Sequence, residues 1–348
     1  MKTQTLTNRA AGQSGFTLLE LLVVVTLLAI LATGALVAYD GADEKAQSSR
    51  AANTIGALDQ GVRAYRAVTG AYPNQWDNLA DPVTDGQAAV GGDFIPEKLQ
   101  DILGSAQLVG VINDTTVGVD IEDYFENNFG MDEIQHVFGD GVGINGPVEP
   151  NRAHNEGTNP PSATGGAVET EFGDFLATGN LANGDPAYIS ILASKAYDRE
   201  AATPTPMDCK VNGVDISTAW TGDTNIAAVD RPRIINSIND ALSTERCNLV
   251  LAIGFGGDAA QSTVDSSAGV VQAPTYTSKN VNPANQYARY IGLFLLAKGP
   301  KTDTADGIDV TRASNLVAKD FLARPRLLGF IDTEGNTIDM NIAEATRD

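Results

Sequence analysis

The sequence is poor in positive charge. Its 23 Lys and Arg face 44 Asp and Glu over 348 residues, a formal charge of −21 at pH 7. Nucleic-acid affinity comes largely from Lys and Arg neutralising phosphates, so no nucleic-acid partner is expected. Histidine is nearly missing: His136 and His154 are the only two, 18 positions apart and with no cysteine near either. A zinc site built on them is therefore not expected. A Ser-His-Asp arrangement also has little support, since no Gly-x-Ser-x-Gly elbow occurs. Cys209 and Cys247 are the only cysteines. None lies near the N-terminus, which excludes a lipid-modified cysteine anchor. No repeat of 20–50 residues is visible, and no proline interrupts Phe16 to Val68.

What is present is a long apolar run. From Phe16 to Ala38 there are 23 residues with one ionisable group, Glu20. At about 1.5 Å per helical residue the run spans roughly 34 Å, enough to cross a hydrocarbon core of about 30 Å. A secretory signal has a shorter apolar region of about 7–15 residues and ends at a small-x-small cleavage site, so this run is expected to be retained. Residues 1–15 carry +2, from Lys2 and Arg9, and residues 16–39 carry −1, so the remainder carries −22. Basic before the span and acidic after it predicts a leader in the cytoplasm and a bulk outside, in the periplasm, on a single pass of the inner membrane.

Gly15, Phe16, Thr17, Leu18, Leu19 and Glu20 sit behind a short basic leader and open an unbroken apolar helix. Together they resemble the type III signal of type IV pilins and type II secretion pseudopilins, over about 50 N-terminal residues. The resemblance implies cleavage after Gly15 by a prepilin peptidase and methylation of the new Phe16 amine. It also implies assembly into a filament with other copies or related subunits, driven by a cytoplasmic ATPase and a membrane platform. Glu20, an isolated carboxylate among apolar helices, would need a cation, and the Phe16 amine of a neighbouring subunit is the one at hand. Many type IV pilins have a proline in the apolar half. Its lack here, with an unusually large head, leans toward a pseudopilin-type or minor structural subunit rather than a long surface pilus, and no enzymatic activity is expected. A surface pilin for adhesion, DNA uptake or motility is the alternative. A membrane-tethered periplasmic enzyme or binding protein is the alternative from another class.

The expected organisation is a leader at 1–15, a span and filament-core helix at 16–39, an amphipathic continuation at 40–70, and an exported head at 71–348. Ile55, Leu58, Val62, Tyr65 and Val68 recur at helical spacing, so one helix is expected from Phe16 to Val68. Gly70 and Pro73 then supply a stop. Gly34, Ala38, Ala42 and Ala46 fall every four residues, a spacing that lets helix backbones approach closely, with a chance alanine run in a good helix former as the alternative. Residues 139–186 are rich in Gly, Asn and Pro and read as a surface insertion, with a short helix near Thr170–Leu176. Asp120–Phe125 and Met131–Ile134 read as short helices or turns.

Strand candidates gather late: Asn248–Ile253, Tyr290–Leu296 and Leu327–Asp332. A hairpin is expected to return along Thr337–Met340, and a helix over Ala313–Phe321. The predicted fold class is α+β, pilin-like: a long N-terminal helix packed on an antiparallel sheet.

Three local patterns remain. Gly254-Phe255-Gly256-Gly257-Asp258-Ala259 follows a strand, but the loop-like sequence behind it points to a glycine-rich turn rather than a dinucleotide site. Two thiols in an exported domain predict a Cys209–Cys247 disulfide, stabilising the head by roughly 4 kcal/mol on the chain-entropy account. Asp303, Asp306 and Asp309 offer hard oxygen ligands around a Gly turn, a candidate calcium loop of a kind that major pseudopilins also have. A solvated acidic turn competes with that reading.

Overall fold

The fold is α+β. A computed structural model describes residues 17–39, 41–80, 95–107, 124–131, 133–137, 169–171, 188–203, 205–211, 213–220, 245–270, 272–283 and 286–347. Gly15, Phe16, His154 and nearly all of the 139–186 region lie outside these residues.

The N-terminal segment forms two helices, not one. Helix α1 runs Leu18–Tyr39 and α2 runs Ala42–Thr69, and Gly41 between them has φ 83°. That left-handed conformation cannot continue a helix, and glycine adopts it at little cost. The Gly34–Ala46 spacing is thus split across two helices rather than running along one face. α2 buries Ile55, Leu58 and Val62 of the predicted stripe, with Ala51 and Ala52 beside them, while Tyr65 is half-buried and Val68 is exposed. It ends at Gly70, also left-handed, whose N–H closes on Arg66 O at 2.8 Å.

Strands follow in order: β1 (Trp76–Asn78), β2 (Leu103–Gln107), β3 (Glu133–His136), β4 (Glu169–Glu171) and β5 (Tyr188–Leu192). Next come β6 (Lys195–Tyr197), β7 (Pro206–Asp208), β8 (Lys210–Val211) and β9 (Val214–Asp215). The last are β10 (Asn248–Gly254), β11 (Ile291–Lys298), β12 (Asn315–Leu316) and β13 (Phe321–Ile331). Short helices α3 (Glu97–Gln100), α4 (Gly257–Gln261) and α5 (Val310–Ser314) intervene, and α6 (Ile338–Thr346) closes the chain. The main sheet has the order β13-β11-β10-β1-β3-β4, with β5 on β10 and β2 on β5. It is mixed rather than wholly antiparallel, because β1 and β3 pair in parallel.

Every residue of β10 is buried, as are the first seven of β11. Unbroken apolar runs of this kind belong to strands covered on both faces. One face carries the α2 stripe with Tyr72, Trp76 and Phe294, and the other carries Leu99, Leu103, Leu192 and Leu293. β13 lies at the edge of the sheet, where Pro325 removes no ladder bond that a neighbour needs.

Four expectations are corrected here. Thr337–Met340 is not a returning strand: the Thr337 side chain caps α6 by accepting from Met340 N. The helix expected over Ala313–Phe321 stops at Ser314, and Phe321 already begins β13. Met131–Ile134 leads into β3 instead of forming a helix; of Asp120–Phe125 only Tyr124 and Phe125 are described, and they open a π-helical turn over Tyr124–Phe129, in keeping with the short helix or turn expected there. Thr170 lies in β4, not in a helix.

Candidate functional site

Helix α1 is the unpartnered element. It is apolar apart from Glu20, Thr26 and Thr33, and none of the residues Leu18–Ala35 is buried against the rest of the described chain. At its start, Thr17 N donates to Glu20 Oε2 at 2.9 Å and Thr17 Oγ1 donates to the same oxygen at 3.0 Å. Glu20 N returns a hydrogen bond to Thr17 Oγ1 at 3.3 Å. This reciprocal pair is a capping box, legible as Thr-x-x-Glu ahead of an apolar run. It satisfies first-turn donors that hydrocarbon would leave unpaired. Glu20 Oε1 accepts no hydrogen bond among the described residues and stays available to a cation.

Behind the Gly41 joint, α2 is tied to the sheet by polar contacts as well as by its stripe. Tyr72, just past the Gly70 turn, accepts from Leu327 N at 3.0 Å and donates to Pro325 O at 3.3 Å. The Arg66 guanidinium lies over its ring, 4.3 Å from the centroid, and Arg63 donates to Leu327 O at 3.2 Å.

The glycine-rich turn is shaped by packing. A Cβ on Gly254 would lie 1.5 Å from the Tyr287 hydroxyl, and one on Gly256 would lie 2.5 Å from both Asp77 carboxylate oxygens. A helix does follow, the five-residue α4, but the glycines serve a buried carboxylate of the chain itself. Tyr287 Oη donates to Asp77 Oδ2 at 2.7 Å, and both side chains are buried. Burial pushes the Asp77 carboxyl up to about 8 against the pull of the Tyr287 hydrogen bond and the Arg289 charge, with Asp258 adding to the rise. Burial, then the Asp77 charge, pushes the Tyr287 phenol well up. No sequence signal marked Asp77, which sits in a three-residue strand of polar character.

The remaining candidates are placed as follows. Cys209 and Cys247 form a disulfide with Cα atoms 5.5 Å apart, pinning the segment between β7 and β8 to the entry of β10. The three loop aspartates do not converge. Asp303 accepts from the backbone N–H groups of Ala305 and Asp306, and Asp309 accepts from Arg312 N. Among the described residues no group of three or more His, Cys, Asp or Glu is gathered for a metal ion. The loop carboxylates form local turns and caps. His136 lies in β3.

Comparison with known proteins bears on α1. No solved structure matches the chain. It is similar to the fimbrial protein EcpC of Eikenella corrodens, 34% identical over 103 residues. That stretch covers 30% of this chain and 62% of EcpC. Residues 11–36 match the family described as the prokaryotic N-terminal methylation motif. The chain thus carries the methylation signal of type IV pilins and pseudopilins, running directly into its exposed apolar helix.

Proposed function

We propose that this chain is a membrane-anchored structural subunit of a type IV pilus-like filament, of the type II secretion pseudopilin kind. In this reading prepilin peptidase cuts after Gly15 and the Phe16 amine is methylated. The α1 helices of many subunits then bundle as the filament core while the heads coat the outside. The methylation motif at 11–36, opening a helix with no cover in its own chain, is the observation that carries it. The absence of proline between Phe16 and Val68 favours the pseudopilin kind. The similarity to a fimbrial protein favours a second reading, a surface pilin.

Glu20 is assigned the assembly role. Its Oε1 accepts the Phe16 amine of a neighbour, so that a subunit docks only in register. Breaking a buried pair by removing one member costs about 3–5 kcal/mol, enough to block addition. Glu20→Val is therefore expected to insert and be cleaved normally yet fail to assemble, with Glu20→Asp partly active. Mass spectrometry of membrane-extracted protein should find a chain starting at methylated Phe16, and a start at Met1 would overturn the processing. Crosslinked filaments formed as well by Glu20→Val as by wild type would overturn the register role. Filaments extending from intact cells would select the surface pilin.

A further inference from the structure

Outside α1 the described residues expose five large apolar side chains, and two of them, Met340 and Ile342, stand on α6. Met340 lines a cleft that α6 forms with the first turns of α2, whereas Ile342 lies off that cleft. Asp339, Ile342, Ala343 and Thr346 follow one another at steps of three and four and share one helix face. All four are exposed. Asp339 opens this face and enters no ion pair among the described residues. The face is an apolar ridge with one free carboxylate at its end.

A matching hollow lies on the other flank of α2. A groove of about 600 Å³ is lined by Ala46, Asn53, Ala57 and Leu58 of α2 and by Val270 and Pro274. Leu58 is buried and gives it an apolar floor, while Ala46 and Ala57 keep its helical wall low. Val270 is held close to α2 where Gly61 has no side chain, since a Cβ there would lie 3.1 Å from Val270 Cγ2. Arg50 belongs to the lining, is exposed, and enters no ion pair among the described residues. Groove and ridge are thus complementary in charge as well as in apolar shape.

The position of α6 keeps the chain from filling this groove with its own ridge. α6 meets α2 at Glu44, Ser48 and Gly56, whereas the groove uses Ala46, Arg50, Asn53 and Ala57. At about 100° per residue these two sets stand roughly half a turn apart around α2. The ridge and the groove therefore open on opposite flanks of one helix. A contact between two different patches is heterologous, and its repetition gives a ring or an open helical array rather than a two-fold dimer. An open array is the geometry a filament needs.

We infer that the α6 ridge of one copy docks in the α2 groove of the next, with Ile342 in the apolar hollow and Asp339 paired with Arg50. The inference rests on the filament reading and goes beyond it, because Glu20 sets the register of α1 alone and this contact joins the heads. The test assembles the full chain in its own cells and measures crosslinked filaments. Arg50→Glu and Asp339→Arg each set like charges against one another and should lower assembly about tenfold. The double variant restores the pair in the reversed sense and should recover most of the yield, which two fold-damaging changes could not do. Chains carrying both Asn53→Cys and Ile342→Cys should oxidise into a ladder of multimers, since Cys209 and Cys247 are already bridged and buried. A mixture of the two single-cysteine chains should stop at dimers, and each alone should stay monomeric. Failure of the double reversal to restore assembly would overturn the inference. So would the absence of a ladder, or a single-cysteine chain that dimerises by itself. A wild-type chain that a general amine-reactive crosslinker leaves monomeric overturns the filament reading instead, so the two failures are separate.

Discussion

Asp77→Asn should stabilise the head, and the gain should grow with pH. Asp77 is buried between β10 and β3, paired with Gly254 on one side and Gln135 on the other. Its carboxyl is held up to about 8 in the folded chain, mainly by burial, against 3.8 for an ordinary aspartate. Below the unfolded value both states are protonated and the group has no pH-dependent effect. As pH rises above it, the unfolded chain ionises while the folded chain retains its proton, so stability falls by about 1.36 kcal/mol per unit. The loss ends near pH 8, where the folded carboxyl ionises too. By pH 7 the accumulated cost is about 4 kcal/mol. Asparagine has the same shape, never ionises and still offers an acceptor to Tyr287 Oη, though about 1 kcal/mol is expected to be lost to imperfect hydrogen bonding. The net gain of about 3 kcal/mol at pH 7 corresponds to roughly 5–10 °C in melting midpoint. The assay is denaturant and thermal unfolding of detergent-solubilised full chain from pH 4 to 8, wild type against variant. All other titrating groups are shared, so they cancel in the difference. Curves that stay parallel across this range, or a variant less stable at pH 7, would refute the reasoning.

Two further outcomes follow from the packing. Gly254→Ala drives a methyl into the Tyr287 hydroxyl and ring in a strand buried on both faces, and should cost about 3 kcal/mol. A loss below about 0.5 kcal/mol in denaturant unfolding would mean that the Tyr287–Asp77 pair is not held where it is described. Replacing Cys209 and Cys247 together by alanine opens a link spanning 38 positions and should cost about 4 kcal/mol of head stability while leaving membrane insertion unchanged. Non-reducing mass spectrometry that finds two alkylatable thiols in exported protein would reject the bridge.

What the sequence disclosed follows from where its signals are local. β10 and β11 were readable because strands buried on both faces need unbroken apolar runs. The α2 stripe was readable because one covered face repeats at helical spacing. β1 and β3 were not, since Asp77 and Gln135 break any apolar pattern and their parallel pairing joins segments about 58 residues apart. Asp332 explains the misread end of the chain. Its buried carboxylate accepts from Glu334 N, Asn336 N and Asn341 Nδ2, which turns the backbone into α6 instead of a hairpin. Gly41 hid its break among good helix formers, because a single glycine inside a helical pattern gives no sign of its φ. Of the candidate site, Glu20 was evident and its Thr17 partner was in plain view two steps into the motif.

α1 and the head solve opposite problems. From Leu18 to Leu31 eleven large apolar side chains are exposed, and none of them enters either core cluster. Burying that many is worth roughly 15–30 kcal/mol, more than the net stability of a typical domain, about 5–15 kcal/mol. Water is a poor host for such a surface, and none of the described residues of the head covers it, so its cover comes from outside them. A bilayer and a bundle of identical helices are both apolar, so moving between them changes the hydrophobic term little. The balance then falls to the few polar groups that the two settings treat differently. Thr17 meets its needs locally through the capping box in either setting. Glu20 Oε1 does not, and a bundle can bring it a cation where lipid tails cannot. On the proposed reading, one oxygen at the start of α1 would therefore decide whether the helix stays in the membrane or leaves it for the filament.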